Sequence, residues 1–287
     1  MEKKILHVVE GREKHITDTG VVRQPLPSMQ FRFASPFIVL HHMPPKYYVP
    51  GSPEERLHPH PHRGFAPVTF MLQGQGFHRD NAGNSMTVTA GDVQWMFAGK
   101  GILHSEGPSE EFLANGGAYE LLQLWFNVPA AHKWDAPYYQ YVKNTQMPAV
   151  AVSEGVHLQL VSGDYENKTG ALQNFTPIVS IWGNIEKGST TTLKTTPGYW
   201  TLLYVVDGKI TVNGTPVEGF HLVIFDKEDN GEDIQITAGE NTRLLYLSAD
   251  PINEPVAAKD NFVMNTAEEA EQAIADYKNG LFGTLEK

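Results

Sequence analysis

The chain has 287 residues, enough for about two domains at roughly 150 residues each and for at least one substantial core. Lys and Arg number 22 against 33 Asp and Glu, and the resulting charge of −11 argues against phosphate backbones or an anionic membrane surface as direct ligands. There are 0 cysteines, which excludes disulfides, thiolate metal sites and cysteine nucleophiles, so any metal must be held by His, Asp or Glu.

The amino terminus, Met1-Glu2-Lys3-Lys4-Ile5-Leu6-His7, lacks the apolar core of a signal peptide, and no stretch approaches the ~20 apolar residues that span a bilayer. The expected location is the cytoplasm. Short apolar or alternating runs bounded by Gly, Pro, Asn or Asp then predict strands at 31–40, 68–72, 85–88, 93–97, 121–127, 158–162, 178–182, 202–206, 210–212, 222–225 and 244–247. Asp207-Gly208 and Asn213-Gly214 are hairpin turn signals. A helix is expected only at the end, over about 267–279. Thr266 and Glu269 form a capping box there, Ala270, Ala273, Ile274, Tyr277 and Leu281 an apolar stripe, and Gly280 the stop.

A weak internal repeat organises these pieces. The run Val68-Thr69-Phe70-Met71-Leu72-Gln73-Gly74 is echoed by Leu202-Leu203-Tyr204-Val205-Val206-Asp207-Gly208, and Gly91-Asp92 through Phe97 by Gly219-Phe220 through Phe225. Two tandem β units follow. The proline-bearing segment 130–151 reads as their connection, giving domains of 1–145 and 146–287.

Three histidines stand at a spacing of two in His58-Pro59-His60-Pro61-His62. In an extended segment such side chains share a face, so two of them can point at one ion. His104 and Glu106 repeat the spacing further along. Two such pairs on facing strands make a His₃Glu site, suited without thiolate to borderline divalent ions. Spacing alone leaves open which of the three clustered histidines would bind.

The blocks His60-Pro61-His62-Arg63-Gly64-Phe65, Gly91-Asp92-Val93-Gln94-Trp95-Met96, Ala98-Gly99-Lys100-Gly101-Ile102-Leu103-His104-Ser105-Glu106 and Leu122-Gln123-Leu124-Trp125-Phe126-Asn127 resemble the signature text of pirins, a branch of the cupin superfamily. Phe262-Val263-Met264-Asn265-Thr266 resembles the pirin carboxyl end. The resemblance implies an all-β fold of two tandem cupin (jelly-roll, double-stranded β-helix) barrels with a C-terminal helix. It also implies one divalent transition metal in the first barrel, Fe²⁺ foremost and Mn, Co, Ni, Cu or Zn compatible, held by His60, His62, His104 and Glu106. His58 is then the spare, and His78, where pirins also tend to carry a histidine, is expected as a hydrogen-bonded strand residue. Pirins commonly continue Arg-Gly-Phe with Glu; here Ala66-Pro67 follows, so no carboxylate stands at that place, and the altered text over 31–50 implies a changed pocket rim.

The repeat-equivalent positions in the second unit, Lys194, Thr196, Glu232 and Ile234, do not reproduce the ligand pairs. That barrel is expected to lack a metal, with Trp182, Trp200 and Phe225 in its core. The activity implied is quercetin 2,3-dioxygenase-type ring opening of a flavonol by dioxygen, with Glu106 as the base. The alternative implied is a non-catalytic, iron-binding regulator that docks on transcription factors or metabolic enzymes.

Overall fold

The computed structural model describes residues 1–16 and 20–286. The chain folds into the all-β, two-barrel architecture that the resemblance implies, in two compact units that are each discontinuous in sequence. One comprises Met1–Pro36 with Thr145–Pro251, the other Phe37–Asn144 with Ile252–Lys287. A division at 145/146 follows chain order, whereas the terminal segments follow pairing. Ile5–Glu10 pairs antiparallel with His221–Phe225 and so belongs with the later strands. Phe262 and Ala273 pack with Leu103, which places the carboxyl-terminal segment in the unit with the earlier ones.

In the unit of Phe37–Asn144, five strands are bonded in the order Tyr138–Val142, Val93–Phe97, Phe65–Gln73, Gly117–Asn127, Phe37–Tyr48. A second sheet runs His60–His62, Ile102–Pro108, Gln75–Asp80, Ser85–Thr89. Phe37–Tyr48 begins later and runs further than the predicted strand at 31–40, straight through Pro44 and Pro45. Prolines cannot donate to a ladder, and the pairing with Gly117–Asn127 shifts register between Tyr119 and Leu121, opposite those two residues. The six-residue helix Glu110–Asn115 is unpredicted; Ser109 caps it by accepting from the Phe112 N–H at 3.1 Å.

In the other unit the large sheet runs Ile5–Glu10, His221–Phe225, Trp200–Asp207, Thr242–Ala249, Ile178–Ile185, Val156–Ser162, Ala149–Ser153. A second sheet has Thr190–Lys194, Asp233–Ala238, Lys209–Val212 and Thr215–Glu218. Asn213 and Gly214 both take positive φ, 44° and 76°, as a type I′ hairpin turn requires. The repeat is topological as well as textual. Phe65–Gln73 lies between Val93–Phe97 and Gly117–Asn127, and Trp200–Asp207 lies likewise between His221–Phe225 and Thr242–Ala249.

The terminal helix Ala267–Lys278 has the expected capping box at Thr266 and Glu269. It ends in a Schellman turn: the Gly280 N–H donates to Tyr277 O and the Leu281 N–H to Asp276 O, with Gly280 at φ 76°. Ala270 and Ala273 are buried as expected, but Tyr277 and Leu281 are 39% and 70% exposed. The turn reverses the chain, so Phe282, not Leu281, enters the core beside Leu103, Phe262 and Ala273. No helix among the described residues is long and apolar enough to cross a membrane.

Candidate metal centre

Strand pairing assembles the motif histidines. Ile102–Pro108 is flanked by His60–His62 on one side, with His104 opposite His60 and Ile102 opposite His62. Alternation then turns His60, His62 and His104 to one face, with ring centroids 4.2 Å apart for His60–His104, 4.8 Å for His62–His104 and 5.0 Å for His60–His62. One ring nitrogen from each lies within 4.8 Å of the others. His62 and His104 are buried and His60 is half-buried, so the group opens on the His60 side.

The hydrogen bonds decide which nitrogens are free. His60 Nδ1 donates to His58 O at 2.9 Å and His62 Nδ1 to Asn261 O at 3.2 Å, because a carbonyl can only accept. Their Nε2 atoms therefore keep lone pairs. His104 Nε2 is buried and has no hydrogen-bond partner. Burial first, and then His60 beside it, hold the His62 imidazole well below its usual range despite the Asn261 carbonyl. Burial, followed by His60, His62 and His78, does the same to His104. Neutral imidazoles are the form that ligates metals, and a buried, partnerless lone pair is relieved by a cation. The donor set thus fits a borderline divalent metal.

Glu106 stands two residues beyond His104 on the same strand, but its carboxylate is not among the clustered ligand atoms. Its Oε1 accepts from Gln123 Nε2 at 2.7 Å. On the other side of Ile102–Pro108, the strand Gln75–Asp80 places Asp80 opposite His104 and His78 opposite Glu106. His78 Nε2 bonds Asp80 Oδ2 at 3.1 Å, and His78 Nδ1 lies 3.5 Å from His104 Nδ1. Burial pushes the Asp80 carboxyl up, but hydrogen bonds from His78 and Asn84 outweigh it and hold it below the usual carboxylate range. His58 is an exposed loop residue whose contribution is its carbonyl.

Much of the motif text serves the scaffold. Gly64 sits at φ 82° with Val263 O so close that a Cβ would lie 2.2 Å from it. The buried Lys133 ammonium reaches Gly64 O at 2.7 Å, Asn127 Oδ1 at 2.7 Å and Val263 O at 2.8 Å, although burial pushes its pKa down to about 7. Arg63 bonds Lys100 O and Asp276 and lies over the Trp134 and Phe282 rings. These contacts dock the segment that carries Asn261 O against His62. Asp92, of the Gly-Asp-Val-Gln-Trp-Met block, accepts from Thr89 Oγ1 at 2.7 Å, the Asn144 N–H at 2.8 Å and the Tyr141 hydroxyl.

Ala66 and Pro67, at the place of the missing carboxylate, are buried opposite Phe126 and Trp125, and the Trp125 ring packs on His62 at 5.6 Å. An apolar wall stands there. In the rim text, His42 is fully buried against Glu120 Oε1 at 3.0 Å, a pair the sequence did not announce. In the second barrel Lys194, Thr196 and Glu232 are exposed, and Ile234 and Phe225 lie in the apolar core with Val205 and Tyr246. Trp182 and Trp200 are only half-buried, so the expected core role holds for Phe225 alone. Gln123, Asp80 and the carbonyls of His58 and Asn261 were not found from sequence. Gln123 lies in a quoted block and Asp80 repeats the spacing of two from His78, but the carbonyls carry no sequence signal.

The sequence matches the family model described as Pirin over residues 19–126 and that of the pirin C-terminal cupin domain over residues 181–283. Pirin-1 of Arabidopsis thaliana is 34% identical, over 98% of this chain and 93% of its own. A crystal structure of quercetin 2,3-dioxygenase from Acinetobacter baumannii superimposes with TM-score 0.93 at 34% identity, covering 100% of both chains. The bacterial pirin YhhW of Escherichia coli in complex with nickel(II) shares the fold at 20% identity and TM-score 0.66, covering 86% of this chain and 99% of its own.

Proposed function

The chain belongs to the pirin family, and on that premise we propose that His60, His62, His104 and Glu106 hold one divalent transition metal, Fe²⁺ foremost, and that the protein opens flavonols such as quercetin with dioxygen. The observation that carries this reading is the buried His104 Nε2, without a hydrogen-bond partner, beside two imidazoles whose Nε2 lone pairs are also free. A divalent cation held there supplies Lewis acidity toward a phenolic hydroxyl. Gln123 fixes Glu106 Oε1, which leaves Oε2 to take the 3-hydroxyl proton. Phe65 and Trp125, tilted rings with centroids 4.4 Å apart beside His62, form the apolar wall that keeps bulk water from a bound aromatic ring. Dioxygen uptake with quercetin by Fe²⁺-loaded protein tests the reading; no uptake at full loading refutes the enzymatic part.

One observation favours the second reading, an iron-binding regulator. Ala66-Pro67 places apolar atoms where relatives offer a carboxylate, which leaves Glu106 as the motif's sole acid for proton transfer. Full metal loading with no oxygen uptake on any flavonol is the outcome that selects this reading.

A further inference from the structure

Two of the three clustered histidines take their orientation from the backbone. A carbonyl accepts and cannot donate, so His58 O and Asn261 O each place the proton on Nδ1 and the lone pair on Nε2 of the ring they hold. His104 has no such carbonyl; its Nδ1 faces another imidazole, His78 Nδ1, at 3.5 Å. Two imidazole nitrogens can bond only if one carries a proton and the other a lone pair, and the contact by itself does not say which.

The far side of His78 decides it. Asp80 Oδ2 lies 3.1 Å from His78 Nε2, and both residues are buried, at 3% and 1% exposure. A carboxylate can only accept, so the His78 proton sits on Nε2 and its lone pair on Nδ1. His104 must then donate from Nδ1, which leaves the lone pair on Nε2, the atom with no partner. Asp80 is fixed in turn: Oδ1 accepts from the Ala82 and Asn84 N–H groups at 2.9 and 3.0 Å, and Asn84 Nδ2 reaches Oδ1 at 3.0 Å and Oδ2 at 2.8 Å. Tyr139 stacks on the His78 ring at 4.7 Å and 22° and anchors its hydroxyl on Gln94 Oε1 at 2.7 Å, so the imidazole plane is held as well.

We propose that Asp80 and His78 form a side-chain relay that sets the tautomer of His104, doing for this ligand what the two carbonyls do for His60 and His62. Both are positioning residues. The inference rests on the reading of His104 as a metal ligand, and adds that the ligand is ready only when the relay is intact. Partners behind a ligating histidine are worth 10–100-fold in metal affinity, and the relay delivers that factor through one additional imidazole.

The test begins on metal-free wild-type protein. Long-range ¹H–¹⁵N correlation of the imidazoles should show His104 protonated at Nδ1; protonation at Nε2 overturns the inference whatever the variants do. His78→Leu removes the acceptor, and Asp80→Asn lets an amide N–H face His78 Nε2 and reverse the chain of donors. His78→Leu should lose the single tautomer and Asp80→Asn should move the His104 proton to Nε2, and each should weaken Co²⁺ binding by about 10–100-fold in a chelator competition. His78→Gln offers an oxygen that can accept from His104 Nδ1, and should restore both the tautomer and the Co²⁺ affinity. A merely structural role would not distinguish Gln from Leu in this way, so equal Co²⁺ affinity and equal His104 tautomer in the two variants refutes the relay. If His104→Ala binds Co²⁺ as wild type does, the ligand reading itself fails. If His104→Ala abolishes binding while His78→Leu and Asp80→Asn bind normally, the relay alone fails.

Discussion

Gly64→Ala probes the coupling between the motif histidines and the carboxyl-terminal segment. Two penalties are expected. Gly64 has φ 82°, a conformation that costs an alanine ~1–2 kcal/mol. The new Cβ would also stand 2.2 Å from Val263 O and 2.7 Å from Met264 Sδ, so the segment must retreat. That carbonyl accepts from Lys133 Nζ at 2.8 Å, and its withdrawal leaves buried polar groups poorly paired, worth ~1–3 kcal/mol. The sum is ~2–5 kcal/mol. Gly51→Ala is the matched control: its φ is 78°, yet a Cβ there meets nothing within 4 Å, so only the first penalty applies. Urea denaturation of the metal-free proteins should rank wild type above Gly51→Ala above Gly64→Ala. Because the same segment carries Asn261 O on His62, Gly64→Ala should also weaken Co²⁺ binding while Gly51→Ala does not. Equal stability of the two variants would show that the close approach to Val263 does not constrain the fold.

Other outcomes follow from single contacts. Asp92→Ala strips the acceptor from Thr89, Asn144 and Tyr141 and should destabilise by ~2 kcal/mol at neutral pH. Burial raises the Asp92 carboxyl, but these donors prevail and its pKa is lowered from 3.8. A depressed folded pKa stabilises above the unfolded value and is lost as pH falls below it, so the gap between wild type and Asp92→Ala in thermal melts should close on acidification through that range. Phe282→Ala should cost ~3–5 kcal/mol in urea denaturation because the ring is only 6% exposed, whereas Leu281→Ala, 70% exposed, should stay within ~0.5 kcal/mol; the reverse ranking would contradict the Schellman reversal. Glu106→Gln keeps the size and an oxygen but cannot take a proton, so steady-state kinetics with quercetin should lose kcat rather than gain KM; an unchanged kcat removes Glu106 as the base.

What the sequence made legible has period two or sits in a turn. The clustering of histidines could be read because alternate strand residues share a face, with the pirin resemblance singling out His60, His62 and His104, and the barrels because Asn213-Gly214 and its like punctuate short apolar runs. The strands at Ile5–Glu10 and Val21–Leu26 escaped, since their partly buried residues mix polar and apolar types without strict alternation. Phe37–Tyr48 was misplaced because the expected strand followed the apolar run ending at Leu40, whereas the ladder continues past Pro44 and Pro45 through the register shift opposite them. The orienting groups of the site were the least visible. Asn261 O reaches His62 across 199 positions, and a backbone carbonyl is the same in every residue. Glu106 was legible as a residue, but the hydrogen bond from Gln123 to its Oε1 was not. The exchange of terminal segments between the compact units left no trace in composition, because strand pairing across a long separation is decided by partners rather than by local text.

Metal content by elemental analysis, on wild type and His104→Ala loaded with Fe²⁺ without oxygen and then desalted, tests the central claim most directly. One metal per chain is predicted for the wild type, with loading lost in the variant. The wild type should also melt higher with metal than without, since binding to the native state alone contributes about 2.7 kcal/mol at 100 times Kd. A wild type that retains no metal, or a His104→Ala variant that retains as much as wild type, would contradict the assignment of the histidine cluster.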